Sequence, residues 1–432
     1  MALSLLRARI GHLVKIALLI AALLTAGAAG CGKKPAREPE PQQPAKTESG
    51  KTEKPKPKQT EKKPPPPALS DLLPVEGAGW DVPADPAEPI KGRFNVKETI
   101  AFEGDVVVPA APSTFVAAGV PKAKAANTFL VYDLKDMLSI SKRVALPPYS
   151  RLALSSDGTY LAARFKGKQA GVVMVWSTVS SQPIFKRDFA ADKLEPSDVA
   201  LVGKDRLWVA EPGVKAQLWG LLDNKQLPAL SVAPRSEQRA FTPGGRYLLA
   251  AAKDDPLRIT AHDLASGKLV GERRFEVPRA LKGASAALAV SPDGQELAML
   301  WRLARPNGEE WGRLVCWDLK TGKKLHEHGV PSFETINDLG GTGKQVVQFW
   351  PGRKGWMLYG HLLVDRDSGA VIRVKELGLP LDADDLQDRR FLGPDHVLDA
   401  RLRPPRKLKI VRLLKEEIDE AVKQARAKPK EE

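Results

Sequence analysis

Residues 315–319 read Val-Cys-Trp-Asp-Leu, an apolar run that ends in an aromatic residue and an aspartate, and this pattern returns along the chain. Further copies, with an aromatic residue or histidine in the same slot, are Leu130–Leu134, Val173–Ser177, Gln217–Gly220 and Thr260–Leu264, and a weaker one is Leu362–Asp365. The residue after the aromatic slot advances by 44, 43, 43, 55 and 47 positions from copy to copy. A period of this size indicates a repeat architecture.

A second pattern, a strand followed by a tight turn and another strand, precedes several of these copies. Its turns read Ser-Asp-Gly at 156–158, Thr-Pro-Gly-Gly at 242–245 and Ser-Pro-Asp-Gly at 291–294. Proline presets φ for such turns, and glycine takes the positive φ. Each unit therefore contains four short strands, which is the content of one blade of a β-propeller.

The number of blades follows from the strands. Seven third-strand runs lie near residues 131, 175, 218, 261, 316, 363 and 411, and the last has no fourth strand after it. An unmatched strand at Asn95–Phe102 could complete that last blade beside Leu408–Leu413. We therefore predict an all-β fold, a seven-bladed β-propeller of four-stranded antiparallel blades over residues 93–415. Six and eight blades are the alternatives.

The repeats resemble those of WD-repeat propellers. Trp317-Asp318 and His262-Asp263 stand where that family has its Trp-Asp pair, and the Ser-Pro-Asp-Gly turn is similar to that of bacterial WD-like repeats. The resemblance implies closure of the ring by an N-terminal strand and a role in protein interaction. The Gly-His dipeptide that opens such repeats is absent from its usual place, and Gly360-His361 stands at the wrong position, so the buried hydrogen-bond network of the family is not implied.

The N-terminus has the layout of a secretory signal peptide, predicted over residues 1–30. Basic Arg7, Arg9 and Lys15 precede an apolar run at 16–26 and a small-residue stretch that ends at Cys31. Ala28-Ala29-Gly30-Cys31 resembles the lipobox of bacterial lipoproteins, although the family prefers a leucine-like residue at the position of Ala28. This resemblance implies a lipid on Cys31. An ordinary cleaved signal peptide is the alternative.

Three further segments lie outside the predicted propeller. Residues 31–70 are rich in Pro, Lys, Glu and Gln, a composition that predicts a disordered tether. Residues 71–92 read as an irregular lead-in. Residues 416–432 are predicted to form a short C-terminal helix and a charged tail, and the helical pattern itself covers 415–428.

Composition and motifs restrict the chemistry. The net charge is +15, but much of it lies in the signal and tether, so we expect no nucleic-acid partner. The only two cysteines are Cys31 and Cys316, so no disulfide framework is expected.

Candidate metal ligands are incomplete in the sequence. His326 and His328 share one side of a strand but lack a third ligand, and the loop acids Asp382, Asp384 and Asp385 do not complete a calcium loop. We predict no metal, no cofactor and no catalytic residue.

Two sets of loop residues are candidates for contact with a partner. In a WD-type propeller the loops between second and third strands lie on one face with those between blades. The first set belongs to two large loops, 304–312 and 331–344: Trp311, Glu309, Glu310 and Glu334. The second set could form a basic rim: Lys122, Lys124, Lys166, Lys168, Arg401, Arg403, Arg406 and Lys407.

The sequence thus favours a non-catalytic lipoprotein of the cell envelope that is exported and held on a membrane by lipid. It would use a WD-like propeller as a scaffold for unknown envelope proteins. The alternatives are a propeller enzyme of lactonase or quinoprotein type and a binder of a cell-wall polyanion.

Overall fold

A computed structural model describes residue 80 and thirteen stretches between residues 82 and 427. These stretches are 82–110, 112–123, 127–230, 234–235, 238–252, 255, 257–275, 286–304, 310–330, 346–352, 354–379, 387–402 and 404–427, the last two separated by residue 403 alone. The predicted signal peptide and tether, and with them Cys31, lie outside the described residues. Within the described part, the chain contains 29 strands and one α-helix.

Seven antiparallel sheets make seven blades, numbered here along the chain. Blade 1 has β2 (Val106–Val107), β3 (Phe115–Gly119), β4 (Thr128–Asp133), β5 (Leu138–Ser139) and β6 (Val144–Ala145). Blade 2 has β7 (Tyr149–Leu154), β8 (Tyr160–Phe165), β9 (Val172–Ser177) and β10 (Pro183–Asp188). Blade 3 has β11 (Asp198–Val202), β12 (Arg206–Glu211), β13 (Lys215–Gly220) and β14 (Gln226–Leu230). Blade 4 has β15 (Arg239–Phe241), β16 (Tyr247–Ala251), β17 (Arg258–Asp263) and β18 (Leu269–Arg274).

The remaining blades follow the same order. Blade 5 has β19 (Ala286–Val290), β20 (Glu296–Ala304), β21 (Glu310–Asp318) and β22 (Lys324–Val330). Blade 6 has β23 (Val347–Trp350), β24 (Gly355–Leu358), β25 (Leu362–Asp365) and β26 (Val371–Arg373). Blade 7 has β27 (Gln387–Phe391), β28 (His396–Arg401), β29 (Lys407–Arg412) and β1 (Thr99–Ala101). Short 3-10 helices are Gly167–Gln169, Phe189–Asp192 and Val374–Leu377.

In blades 2 and 5, the turn between the first two strands is held by one serine and one aspartate. In blade 2, Ser155 Oγ donates to Asp157 Oδ1 at 2.7 Å, Asp157 Oδ1 accepts from Thr159 N, and Ser155 Oγ accepts from Tyr160 N. Gly158 follows with φ +73°. Blade 5 repeats this geometry with Ser291, Asp293 and Gly294. The short Ser-x-Asp-Gly sequence therefore contains the hydrogen-bonding side chains and the positive-φ glycine that the turn requires.

Seven apolar clusters fill the seams between neighbouring blades. One such cluster joins blades 4 and 5, where the indole rings of Trp301 and Trp317 meet edge to face with centroids 5.6 Å apart. Other clusters join blades 1 and 2, 2 and 3, 3 and 4, 5 and 6, 6 and 7, and 7 and 1. Each strand contributes alternate residues to these seams, so every blade buries both of its faces.

The ring is closed by the pairing of its first and last strands. Within blade 7, Thr99 pairs with Lys409, Ile100 with Leu408 and Ala101 with Lys407 in antiparallel register. The predicted seven-bladed, four-stranded propeller and its closing strand are thus confirmed. The paired segment is shorter than the predicted Asn95–Phe102.

The predicted C-terminal helix is α1 (Lys415–Ala427). Its Ile418 and Ala421 are buried in the cluster that joins blades 6 and 7. Arg426 donates to Asp365 Oδ2 at 3.2 Å, at the end of β25. The helix therefore covers apolar residues at the outer part of this seam.

Removing the closing contact should destabilise the whole domain. Ile100 is buried between blades 7 and 1, whereas its neighbour Thr99 is exposed. We expect Ile100→Ala to lower the free energy of unfolding by about 2–4 kcal/mol. The matched variant Thr99→Ala should change it by less than about 0.5 kcal/mol. Urea titrations followed by tryptophan fluorescence measure both, and equal effects would argue against closure by β1.

Candidate functional site

The propeller has two different faces. The loops between second and third strands and those between blades lie on one of them, which we call the loop face. The turns between first and second and between third and fourth strands lie on the opposite, turn face. Strand direction alone fixes this division, because consecutive strands in each blade are antiparallel.

The described members of the predicted basic rim lie on the loop face of three consecutive blades. Lys122 follows β3 of blade 1, and Lys166 and Lys168 follow β8 of blade 2. The members from blade 7 are Arg401, Arg406 and Lys407. Ring closure places blade 7 beside blade 1, so these residues form one arc, which we call the basic arc. Lys124 and Arg403 lie outside the described residues.

Two arginines of blade 2 extend the basic arc and were not predicted from the sequence. Arg164 donates from Nε to Ala170 O at 3.0 Å, and Arg151 donates to Ser197 O at 3.3 Å. These contacts use carbonyl oxygens, so the hydrogen bonds leave the positive charges unneutralised. Burial and the charge of Arg151 lower the pKa of Arg164, while Glu195 opposes this shift. Arg151 and Arg164 are neighbours because β7 and β8 pair in this register, so the sequence alone does not show that they lie side by side.

Carboxylates adjoin the arc at the connection between blades 7 and 1. Glu103 accepts a hydrogen bond from the backbone N–H of Lys122, and Asp105 accepts one from the hydroxyl of Tyr149 at 2.7 Å. Burial, with this hydrogen bond and the nearby negative charge, raises the pKa of Tyr149, so its phenol stays protonated. Gly119 is required here, because a Cβ would lie 1.8 Å from Glu103 O.

The prediction of a large loop at 304–312 is wrong in part. Instead, β20 and β21 extend to nine residues each, with Ala304 paired to Glu310 and Leu303 to Trp311. Part of the added length of this repeat thus continues the hairpin, because the two strands keep pairing as far as Ala304 and Glu310. Glu310 and Trp311 begin a strand, and Glu309 and Glu334 lie outside the described residues.

The seam of blades 5 and 6 contains a cluster of ionisable groups. Arg366 forms two hydrogen bonds with the carboxylate of Glu296, at 2.8 and 2.9 Å, and Glu296 also accepts from Cys316 Sγ at 3.6 Å. His328 Nε2 lies 2.9 Å from Arg366 O, and its ring stacks on that of His326. Both imidazoles pack against Trp356.

This cluster is built as a packed structural contact. Glu296 is 3 % exposed and its charge is matched by the bidentate guanidinium, an arrangement that tolerates burial. Cys316 is fully buried, in agreement with its predicted place in the core. In the described part of the chain, no three His, Cys, Asp or Glu side chains are grouped so as to hold a metal ion. Asp382, Asp384 and Asp385 lie outside that part.

No helix within the described residues is long and apolar enough to span a membrane.

The chain is similar in structure to solved proteins at low sequence identity. No family model and no curated protein matches the sequence. A hydrazine synthase structure from Kuenenia stuttgartiensis is 14% identical, with a TM-score of 0.44 over 71% of this chain and 94% of that one. A chain of a mitotic checkpoint complex is also 14% identical, with a TM-score of 0.46 over 77% of this chain and 96% of that one. Neither likeness carries information about function.

Acidification should destabilise the seam of blades 5 and 6. Burial, then Arg366 and His328, lower the pKa of His326 in the folded state, whereas the unfolded value is about 6.5. The unfolded state therefore binds the proton more readily, and stability falls as pH drops below about 6.5. We expect a lower thermal midpoint at pH 5.5 than at pH 7.5, with a smaller decrease in His326→Gln. A larger decrease in the variant would contradict this assignment.

Proposed function

We propose that this chain is a non-catalytic scaffold of the cell envelope whose propeller binds an acidic surface of a partner protein. The observation that carries the proposal is the basic arc on the loop face of blades 7, 1 and 2. Function commonly resides on loops that a rigid scaffold positions, and seven interlocked blades are such a scaffold. The arc is compatible with complementary charge on a partner, which favours rapid and specific encounter.

The position of the charges supports a binding role more than general solubility. Lys166 and Lys168 are exposed on either side of Gly167, where the short helix after β8 presents both to solvent. Arg151 and Arg164 lie in the adjoining strands, and their N–H groups donate to backbone and hydroxyl oxygens. Like charges gathered in this way repel one another, and an anionic partner would relieve the repulsion.

The N-terminal sequence supports attachment of this scaffold to a membrane. In the proposal, residues 1–30 direct export, Cys31 carries the lipid, and residues 31–70 form the tether. The prolines and lysines of the tether favour extended conformations that keep the propeller away from the membrane surface.

Charge reversal on blade 2 tests the binding surface. We expect Lys166→Glu combined with Lys168→Glu to slow association with the partner by about tenfold at low salt. The control is Lys320→Glu combined with Lys323→Glu, the same charge change at exposed positions of the turn face. Affinity capture from envelope extract followed by interferometry gives the rates. Equal loss in both variants would contradict the assignment, and capture of a glycan polymer instead of protein would favour the polyanion alternative.

Lipid attachment has its own test. Cells that express the full chain should incorporate labelled palmitate into it, and Cys31→Ala should abolish the label and release the protein from membranes. Cys316→Ala is the control, because that thiol is fully buried. Membrane retention of an unlabelled Cys31→Ala chain would contradict a lipid anchor.

A further inference from the structure

Residues 80 and 82–88, the described first part of the lead-in before β1, contact blades 3, 4 and 5. Trp80 donates from Nε1 to Leu319 O, and its ring meets Phe275 edge to face at 5.6 Å. Val82 is 1 % exposed within the cluster that joins blades 4 and 5. Asp85 follows on the turn of blade 4, and Glu88 pairs with Lys204 of blade 3.

Asp85 supplies a carboxylate that blade 4 lacks. Blades 2 and 5 have their own turn aspartates, Asp157 and Asp293, but the turn of blade 4 has glycine at the equivalent position, 244. Asp85 Oδ2 accepts from Thr242 Oγ1 at 2.5 Å and from Arg246 N at 2.7 Å. These bonds reproduce, from 157 residues away, the pair that Asp157 makes with Ser155 and Thr159 in blade 2.

The glycines of this seam leave room for the segment. A Cβ on Gly244 would lie 2.1 Å from Asp85 Oδ1, and one on Gly294 would lie 2.6 Å from Asp85 N. The backbone is engaged as well, since Gly244 N donates to Asp85 O at 3.0 Å and Ala87 N donates to Pro292 O at 2.9 Å. The seam therefore offers hydrogen-bonding groups to one aspartate and has the space to accommodate it.

The segment itself has the character of a bound peptide. Prolines recur at every third position, Pro83, Pro86 and Pro89, which favours a polyproline II conformation with three residues per turn. The side-chain contacts of Val82, Asp85 and Glu88 repeat with the same period, so these three side chains lie on one side of such a helix. Extended proline-rich ligands are recognised in this way because they lose little entropy on binding.

We propose that the turn-face seam of blades 4 and 5 is a peptide-binding site that the chain's own residues 80 and 82–88 occupy. The site recognises an indole N–H donor, an apolar residue two positions later and an aspartate five positions after the indole. Its selectivity comes from the turn of blade 4, which has Gly244 where blades 2 and 5 have an aspartate and therefore needs a carboxylate from the peptide. This site is separate from the basic arc, so it does not depend on the partner proposed above.

Binding of the segment in trans tests the proposal with the full chain. Residues 80–88 are replaced by a Gly-Ser sequence of equal length, and a fluorescein-labelled peptide of residues 80–90 is added. We expect saturable binding of the peptide to this emptied chain. Binding to the wild-type chain should be at least about tenfold weaker, because its own segment competes at about millimolar effective concentration. The peptide with Asp85→Asn should bind about tenfold more weakly than the unchanged peptide.

Gly244→Asp provides the matched control. The backbone of Gly244 is outside the left-handed region, so aspartate fits the turn and completes it as in blades 2 and 5. The emptied chain with Gly244→Asp should fold and fail to bind the peptide. Absence of binding to an emptied chain that retains its circular dichroism spectrum would overturn the proposal, as would equal binding to the Gly244→Asp form.

A second measurement applies if the emptied chain does not fold. In otherwise unchanged protein, Gly244→Asp should speed hydrogen exchange of residues 82–90 while the strands of blade 4 stay protected. Unchanged exchange in the segment would overturn the proposal. Equal loss of protection in blade 4 would also overturn it, because the segment would then be an integral part of the blade.

Discussion

Three residue pairs between β1 and β29, centred on Ile100 and Leu408, join the first described strand to the last. This pairing supplies the fourth strand of blade 7 and brings that blade against blade 1, where Ile100 and Phe102 pack with Leu398 and Ile410. The arrangement of the loop face depends on it, since Lys407 and Lys122 belong to one surface only in a closed ring. Closure also makes the blades mutually dependent, because each seam is shared by two sheets.

Much of the fold was predictable because its determinants are local. A Ser-x-Asp-Gly turn carries its own donors, acceptor and positive-φ residue, and the apolar run with a terminal aromatic residue marks the third strand. The number of blades and the closing strand followed from counting these units. The insertion in blade 5 was misassigned because residues 304–312 contain both strand-forming and turn-forming residues. Length alone did not distinguish a longer hairpin from a larger loop.

The features that sequence reasoning missed depend on contacts between distant residues. The carboxylate of Asp85 reaches a turn 157 residues later, and nothing near residue 85 indicates that partner. The one available signal is indirect: blade 4 has Gly244 where blades 2 and 5 have aspartate. Arg151 and Arg164 similarly become neighbours only through the register of β7 and β8. Such residues differ from the predicted lysines, whose positions in loops follow from strand order.

We propose that opposite faces of the propeller have different roles, with a built-in peptide on the turn face and a basic arc for a partner on the loop face. Photo-crosslinking in cells tests this division most directly, using the full chain with a photoreactive amino acid at Lys168 or at Lys323. We expect a protein adduct of defined mass from position 168 and none from position 323. Adducts from position 323 alone, or equally from both positions, would contradict it.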